Sequence, residues 1–147
     1  YSRLKQNNLL IQMSAGKYSF TIEQGATYRF GIEYTDASGS YIDLQGYDAQ
    51  MQIRSDYADN SKNKLYATLP LITSSAAQTG SYLMFSGSAG TGSAAAISGA
   101  VLVYLHADTT TNFNFEEAVY DIELYSGDEV YRLLEGTILN RKEVTRI

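Results

Sequence analysis

The chain has 147 residues, a formal net charge of −5, one histidine, and neither cysteine nor tryptophan. Its length fits one domain with a full hydrophobic core, and its hydrophobic content of 44% excludes disorder throughout. Without cysteine there is no disulfide framework, thiolate zinc site or cysteine nucleophile. The negative charge is unfavourable for non-specific DNA binding, and no apolar run is long enough for a membrane-spanning helix.

Residues 1–16 form an N-terminal segment that differs in character from the rest. Two basic residues, Arg3 and Lys5, precede a short apolar run, and Ser14–Gly16 reads as a break. We expect this segment to be an edge strand or an arm that docks on a neighbour. From Lys17 onward, apolar and polar residues alternate, which predicts half-buried strands. The predicted strands are 17–24, 27–34, 41–44, 47–55, 64–72, 81–85, 100–105, 118–125 and 129–140.

The connections between these strands carry turn and loop signals. Gly25 and Gly46 are expected to bend the chain between strands, and 126–128 to form a hairpin turn. Residues 86–100 are almost wholly Gly, Ser and Ala and predict a flexible loop. Residues 108–115 predict a crossing loop with one helical turn capped by Asp108. Eight to ten short strands at this spacing predict one all-β domain, a sandwich or a barrel.

Charge is unevenly distributed along the chain. No Asp, Glu, Lys or Arg occurs between Leu65 and Ala107, whereas both ends of the chain are basic. One explanation is a Ser/Thr-rich face that water solvates without charges. The other is a face covered by a neighbouring subunit, since charged residues are depleted at interface cores.

The residue inventory gives little support to catalysis. His106 is followed by Asp108, but no nucleophile-elbow pattern accompanies them. The sequence 90–95 fits G-x-G-x-x-A, yet it lies in a Gly/Ser/Ala loop rather than between a strand and a helix. Asp121 and Glu123 share one face of a predicted strand, which indicates a solvated face rather than two carboxylates across a sugar. We therefore expect no enzymatic activity, no catalytic residue and no cofactor.

Two binding possibilities remain open. The loop with Asp56, Asp59 and Asn60 lacks the EF-hand pattern, so it predicts at most an incidental Ca²⁺ site. Exposed tyrosines can stack on sugars, and the chain has 13 tyrosines. Most of them alternate with polar residues at strand spacing, which favours core packing over a sugar platform.

Several segments resemble a known family. The sequence 18–27, YSFTIEQGAT, and the stretch 42–54, IDLQGYDAQMQIR, resemble signatures of a small immunoglobulin-like β-sandwich family found in tailed-phage tail and baseplate proteins, including the N-terminal domain of baseplate upper proteins. The segments 120–124, 132–136 and 143–146 resemble the last hairpin and tail of that family. The N-terminal segment and the 86–100 insertion depart from its pattern. A further expectation is that Arg54 and Glu135 form an ion pair.

The resemblance implies a structural virion protein in the tail or baseplate that binds neighbouring subunits and acts on no substrate. The expected organisation is an N-terminal arm over 1–16 and an immunoglobulin-like β-sandwich over 17–147, with its Gly/Ser/Ala-rich loop at 86–100. Expected partners are other virion proteins in an oligomeric assembly, without nucleic acid, membrane or small-molecule substrate. A head-decoration or neck protein and a carbohydrate- or receptor-binding module are the alternatives. The expected interface residues are Leu4, Leu9, Leu10, Ile11, Met13, Arg141 and Arg146.

Overall fold

The computed structural model describes residues 2–8, 16–36, 38, 43, 44, 46–72, 80–87, 90, 91 and 100–145. Within these residues the chain forms eleven strands and one short helix. They are β1 Ser2–Asn8, β2 Gly16–Lys17, β3 Phe20–Glu23, β4 Tyr28–Asp36, β5 Asp48–Arg54, β6 Leu65–Ile72, β7 Tyr82–Gly87, β8 Gly90–Thr91, β9 Ala100–Leu105, α1 Ala107–Thr111, β10 Glu117–Ser126 and β11 Glu129–Arg141. The predicted all-β class is confirmed.

The strands follow one hydrogen-bonded path that curls on itself. Their order is β1-β4-β9-β7-β6-β5-β10-β11-β2, with β3 also pairing with β11 and β8 with β7. Strand β6 joins the two halves, because residues up to Pro70 pair with β5 while Leu71 and Ile72 pair with β7. Pro70 stands at this change of partner, where a residue without an N–H donor is tolerated.

The two halves of the curled sheet enclose a hydrophobic core. Its side chains come from alternate positions of facing strands, as the period of two predicts. At one end lies an aromatic cluster, in which the Phe20 ring stacks on Tyr28 at 4.9 Å and contacts Phe30 at 5.1 Å and Tyr120 at 5.3 Å. These contacts join β3 and β10 of one half to β4 of the other.

Two register shifts reverse the burial that simple alternation predicts. The β10–β11 register shifts between Ile122 and Glu123, so that Leu133 and Leu134 are both buried. The β5–β6 register shifts between Ile53 and Arg54, and Leu65 is 48% exposed although alternation placed it on the buried face. A β-bulge adds one residue to one strand of a pair and so changes which face later residues occupy.

Other local expectations have mixed outcomes. Gly25 and Gly46 bend the chain with φ of +85° and +83°, as expected. The predicted strand 17–24 is interrupted at residues 18 and 19, between β2 and β3. The predicted strand residues 41 and 42 lie outside the described residues, as do most of the 86–100 loop. In the part of that loop that is described, Gly90–Thr91 pairs with the end of β7.

Candidate functional site

The N-terminal strand β1 lies at one end of the strand order. It pairs in parallel with β4 from Ser2 opposite Phe30 to Asn8 opposite Asp36, and Leu4 lies opposite Ile32. No described strand pairs with its other edge. Among the described residues, the outward-facing N–H and C=O groups of this seven-residue strand therefore have no strand partner. The other predicted apolar residues of this segment, Leu9, Leu10, Ile11 and Met13, lie outside the described residues.

The predicted basic residue Arg141 lies near the opposite end of the strand order. It closes β11, and its guanidinium lies 3.6 Å from the Glu23 carboxylate of β3, with both side chains mostly exposed. The structure thus places Leu4 and Arg141 far apart along the hydrogen-bonded path, on the first and the second-to-last strands of the order. Arg146 lies outside the described residues.

The uncharged segment contributes an aromatic ladder to the outer surface. Tyr82 of β7 and Tyr104 of β9 are register partners, and their rings stack at 5.0 Å. The guanidinium of Arg29, on β4, lies 5.5 Å from the centre of the Tyr104 ring, a cation–π contact. Arg29 of β4 therefore supplies a positive charge on this face, because β7 and β9 themselves contain no charged residue.

His106 has a structural role at the start of α1. Its Nδ1 accepts a hydrogen bond from the Asp108 N–H at 3.1 Å and caps the helix, so the predicted Asp108 cap is wrong. The Ser81 hydroxyl accepts from the His106 N–H at 2.9 Å and donates to Thr109 at 2.7 Å. These contacts hold His106 and Ser81 in a capping arrangement at the start of α1.

The predicted pair of Arg54 and Glu135 does not form. Glu135 instead accepts from the Lys17 ammonium at 2.8 Å, and Arg54 Nε donates to the Gln52 side chain at 3.0 Å. The strand register explains this difference. Gln52 of β5 and Glu135 of β11 both pair with Asp121, from opposite sides of β10. Arg54 pairs with Val119, two residues along β10, so it is not in line with Glu135.

The acidic residues of β10 form a network with an arginine. Arg132 Nε lies 3.3 Å from Asp121 and its terminal nitrogen lies 3.8 Å from Glu123. Burial, followed by the Glu123 charge, raises the pKa of Asp121, and the Arg132 charge opposes this rise.

Among the described residues, no three His, Cys, Asp or Glu side chains form a group that could hold a metal ion. The described residues likewise contain no helix long and apolar enough to cross a membrane.

A polar groove of about 400 Å³ lies on the outer surface of β5, β10 and β11, and sequence reasoning did not predict it. Its floor comes from alternate residues of those strands and its wall from the loop between β5 and β6. The lining residues are Gln52, Arg54, Asp56, Tyr57, Asp59, Asn63, Val119, Tyr120, Asp121, Glu123 and Arg132. The sequence signal was present in the polar 56–63 loop, but only the strand order shows which face this loop covers.

Comparisons with known proteins find similarity among solved structures. No protein-family model matches the chain, and no curated protein matches it either. The N-terminal domain of phage TP901-1 ORF48 is a similar solved structure, with 6% identity and a TM-score of 0.43, and the match covers 97% of this chain and 100% of that one. A likeness at this level shows neither a shared family nor a shared function.

Proposed function

We propose that this protein is a structural component of a tailed-phage virion, in the tail or baseplate, and that it works by binding neighbouring subunits. The observation that carries this proposal is the placement of the sequence motifs that resemble the phage β-sandwich family. Residues 18–27 include β3, residues 42–54 include β5, and residues 120–124 and 132–136 lie on β10 and β11. Four motifs dispersed in sequence thus fall on the adjacent strands β5, β10, β11 and β3.

The outer edge of β1, with which no described strand pairs, supplies a means of binding a neighbour. Unpaired backbone groups on an edge strand can accept a strand from another chain, in which main-chain hydrogen bonds supply affinity. The segment from residue 1 to residue 16 carries Arg3 and Lys5 and no acid, whereas the whole chain carries −5. An acidic neighbouring surface therefore complements this edge electrostatically. We infer that virion proteins, rather than nucleic acid, membrane or a substrate, are its partners.

Quantitative mass spectrometry of purified virions tests the location of the protein. We expect the protein in particles at the small fixed copy number that a ring of subunits requires. A very large copy number would instead favour the head-decoration alternative. Absence from particles, together with a soluble monomer, would refute the structural role.

Deletion of residues 1–8 tests the binding mode. We expect the truncated protein to fold, since β4 keeps its pairing with β9, but to be lost from assembled particles. Circular dichroism and thermal unfolding of the purified variant establish folding. Normal incorporation of the folded, truncated protein would show that the β1 edge is not the binding surface.

A further inference from the structure

The polar groove on β5, β10 and β11 has a preorganised wall. The Tyr57 hydroxyl donates to the Gly136 carbonyl at 3.1 Å and so anchors the 56–63 loop to β11. The Asp56 carboxylate accepts from the Tyr57 N–H at 2.7 Å, and the Asn63 amide donates to the Ala58 carbonyl at 2.8 Å. Because these bonds fix the loop before any ligand arrives, binding would cost little ordering entropy.

The groove presents an exposed aromatic ring, that of Tyr57, among planar polar groups. Tyr57 is 54% exposed although its hydroxyl is bonded, so part of its ring is accessible. The floor offers the carboxylate of Asp121 and the guanidinium of Arg132, which are 3.3 Å apart.

These groups match the chemistry of a sugar ring. Adjacent sugar hydroxyls both donate and accept, which suits carboxylate acceptors beside guanidinium donors. The apolar C–H face of a pyranose packs on an aromatic ring. The groove volume of about 400 Å³ lies in the range of roughly 300–1,000 Å³ that holds small ligands.

The charge of the groove restricts the sugar. Its lining includes four acids, Asp56, Asp59, Asp121 and Glu123, against two arginines. This excess of negative charge disfavours sugars that carry a carboxylate or a sulfate. We propose that the groove is a binding site for a neutral pyranose unit, with Tyr57 as the stacking surface and Asp121 and Arg132 as hydrogen-bonding groups. This site rests on the groove geometry and is independent of the proposed structural role.

An NMR titration of the isotope-labelled protein tests the site. The probes are the methyl glycosides of glucose, galactose, mannose and N-acetylglucosamine, added to about 50 mM, far above a Kd of ~1 mM that corresponds to about −4 kcal/mol. We expect at least one to give saturable shifts confined to the 56–63 loop, β10 and β11. Methyl glucuronide, its charged counterpart, should bind at least about tenfold more weakly. Absence of saturable shifts from all four neutral glycosides would overturn the proposal.

Three variants locate the binding. Asp121→Asn keeps the side-chain shape and should weaken binding about tenfold, which corresponds to ~1.4 kcal/mol. Tyr57→Ala should abolish detectable shifts. The matched control is Tyr82→Ala, a half-buried tyrosine on the other half of the sheet, which should bind as the parent does. Tyr57→Ala also removes the hydroxyl that anchors the loop to β11. Asp121→Asn leaves that anchor in place, so it tests binding separately from the order of the loop. Unchanged affinity in Asp121→Asn, or an equal loss in Tyr82→Ala, would refute this site.

Discussion

Gly136 is the position at which the smallest change should have the largest effect on stability. It lies in β11, opposite residues 18 and 19, which separate β2 from β3. A Cβ atom at this position would overlap the Tyr18 carbonyl oxygen and lie 2.7 Å from its carbon and 3.2 Å from the Tyr120 ring. Gly136→Ala therefore forces the Tyr18 backbone away from β11.

The cost of this movement has two parts. Overpacking of a filled site costs about 1–3 kcal/mol. The Tyr18 carbonyl also accepts the hydrogen bond of the Tyr120 hydroxyl at 2.5 Å, and Tyr120 is only 2% exposed. Loss of that bond in a buried site costs a further ~1–3 kcal/mol. We expect a total of about 2–6 kcal/mol, a large part of the ~5–15 kcal/mol by which a domain is usually stable.

Urea unfolding followed by circular dichroism measures this effect. The matched control is Gly127→Ala, because no atom lies within 4 Å of a Cβ built there. Its φ of +58° adds only the cost of a left-handed conformation, about 1–2 kcal/mol. The midpoint of Gly136→Ala should fall clearly below that of Gly127→Ala, with an unchanged m value.

A double-mutant cycle with Tyr120→Phe tests the shared hydrogen bond. Since both substitutions break the same bond, their combined loss should be smaller than the sum of the single losses by about 1 kcal/mol. Strict additivity would show that the Tyr18 carbonyl stays in place in Gly136→Ala. Equal midpoints for Gly136→Ala and Gly127→Ala would refute the steric argument altogether.

Three further outcomes concern the helix cap, the β10 carboxylate and the β11 bulge. His106→Ala should lower the free energy of unfolding by about 1 kcal/mol, whereas His106→Asn, which restores a cap, should recover most of it; equal losses in urea unfolding would contradict the capping role. Burial raises the Asp121 pKa above its ordinary 3.8, so the native state binds more protons and stability falls as the pH rises through and above that value. Unfolding measured across this range should therefore show the parent losing stability relative to Asp121→Asn, and parallel profiles would contradict the shift. Leu133→Ala and Leu134→Ala should each cost about 2–5 kcal/mol while Leu139→Ala, at 47% exposure, costs far less; a small loss at Leu133 would argue against the bulge.

The alternation of side chains identified most strands because it reflects a local cause. A strand with one buried face needs an apolar residue at every second position, so β4, β5 and β10 can be read from the sequence. Alternation failed at Leu65 and Leu133 because bulges there shift the register. A bulge is set by how two strands pair, and the second strand is not visible in the local pattern.

The candidate groove likewise could not be predicted from the local sequence pattern. The sequence showed that 56–63 is polar and that Asp121 and Glu123 share a face. It did not show that the loop folds over those carboxylates, because the Tyr57 contact with Gly136 spans 79 residues. The expected ion pair of Arg54 and Glu135 failed for the same reason, since pairing across β10 depends on the register of three strands.

The sequence by itself determined the all-β class, the positions of most strands and the glycine bends, because these follow from local periodicity and backbone freedom. Only the tertiary structure decided the strand order, the change of partner within β6, the place of β1 at one end of the strand order and the groove. Each of these depends on contacts between residues far apart in the chain, and their energies are not encoded in any short window of the sequence.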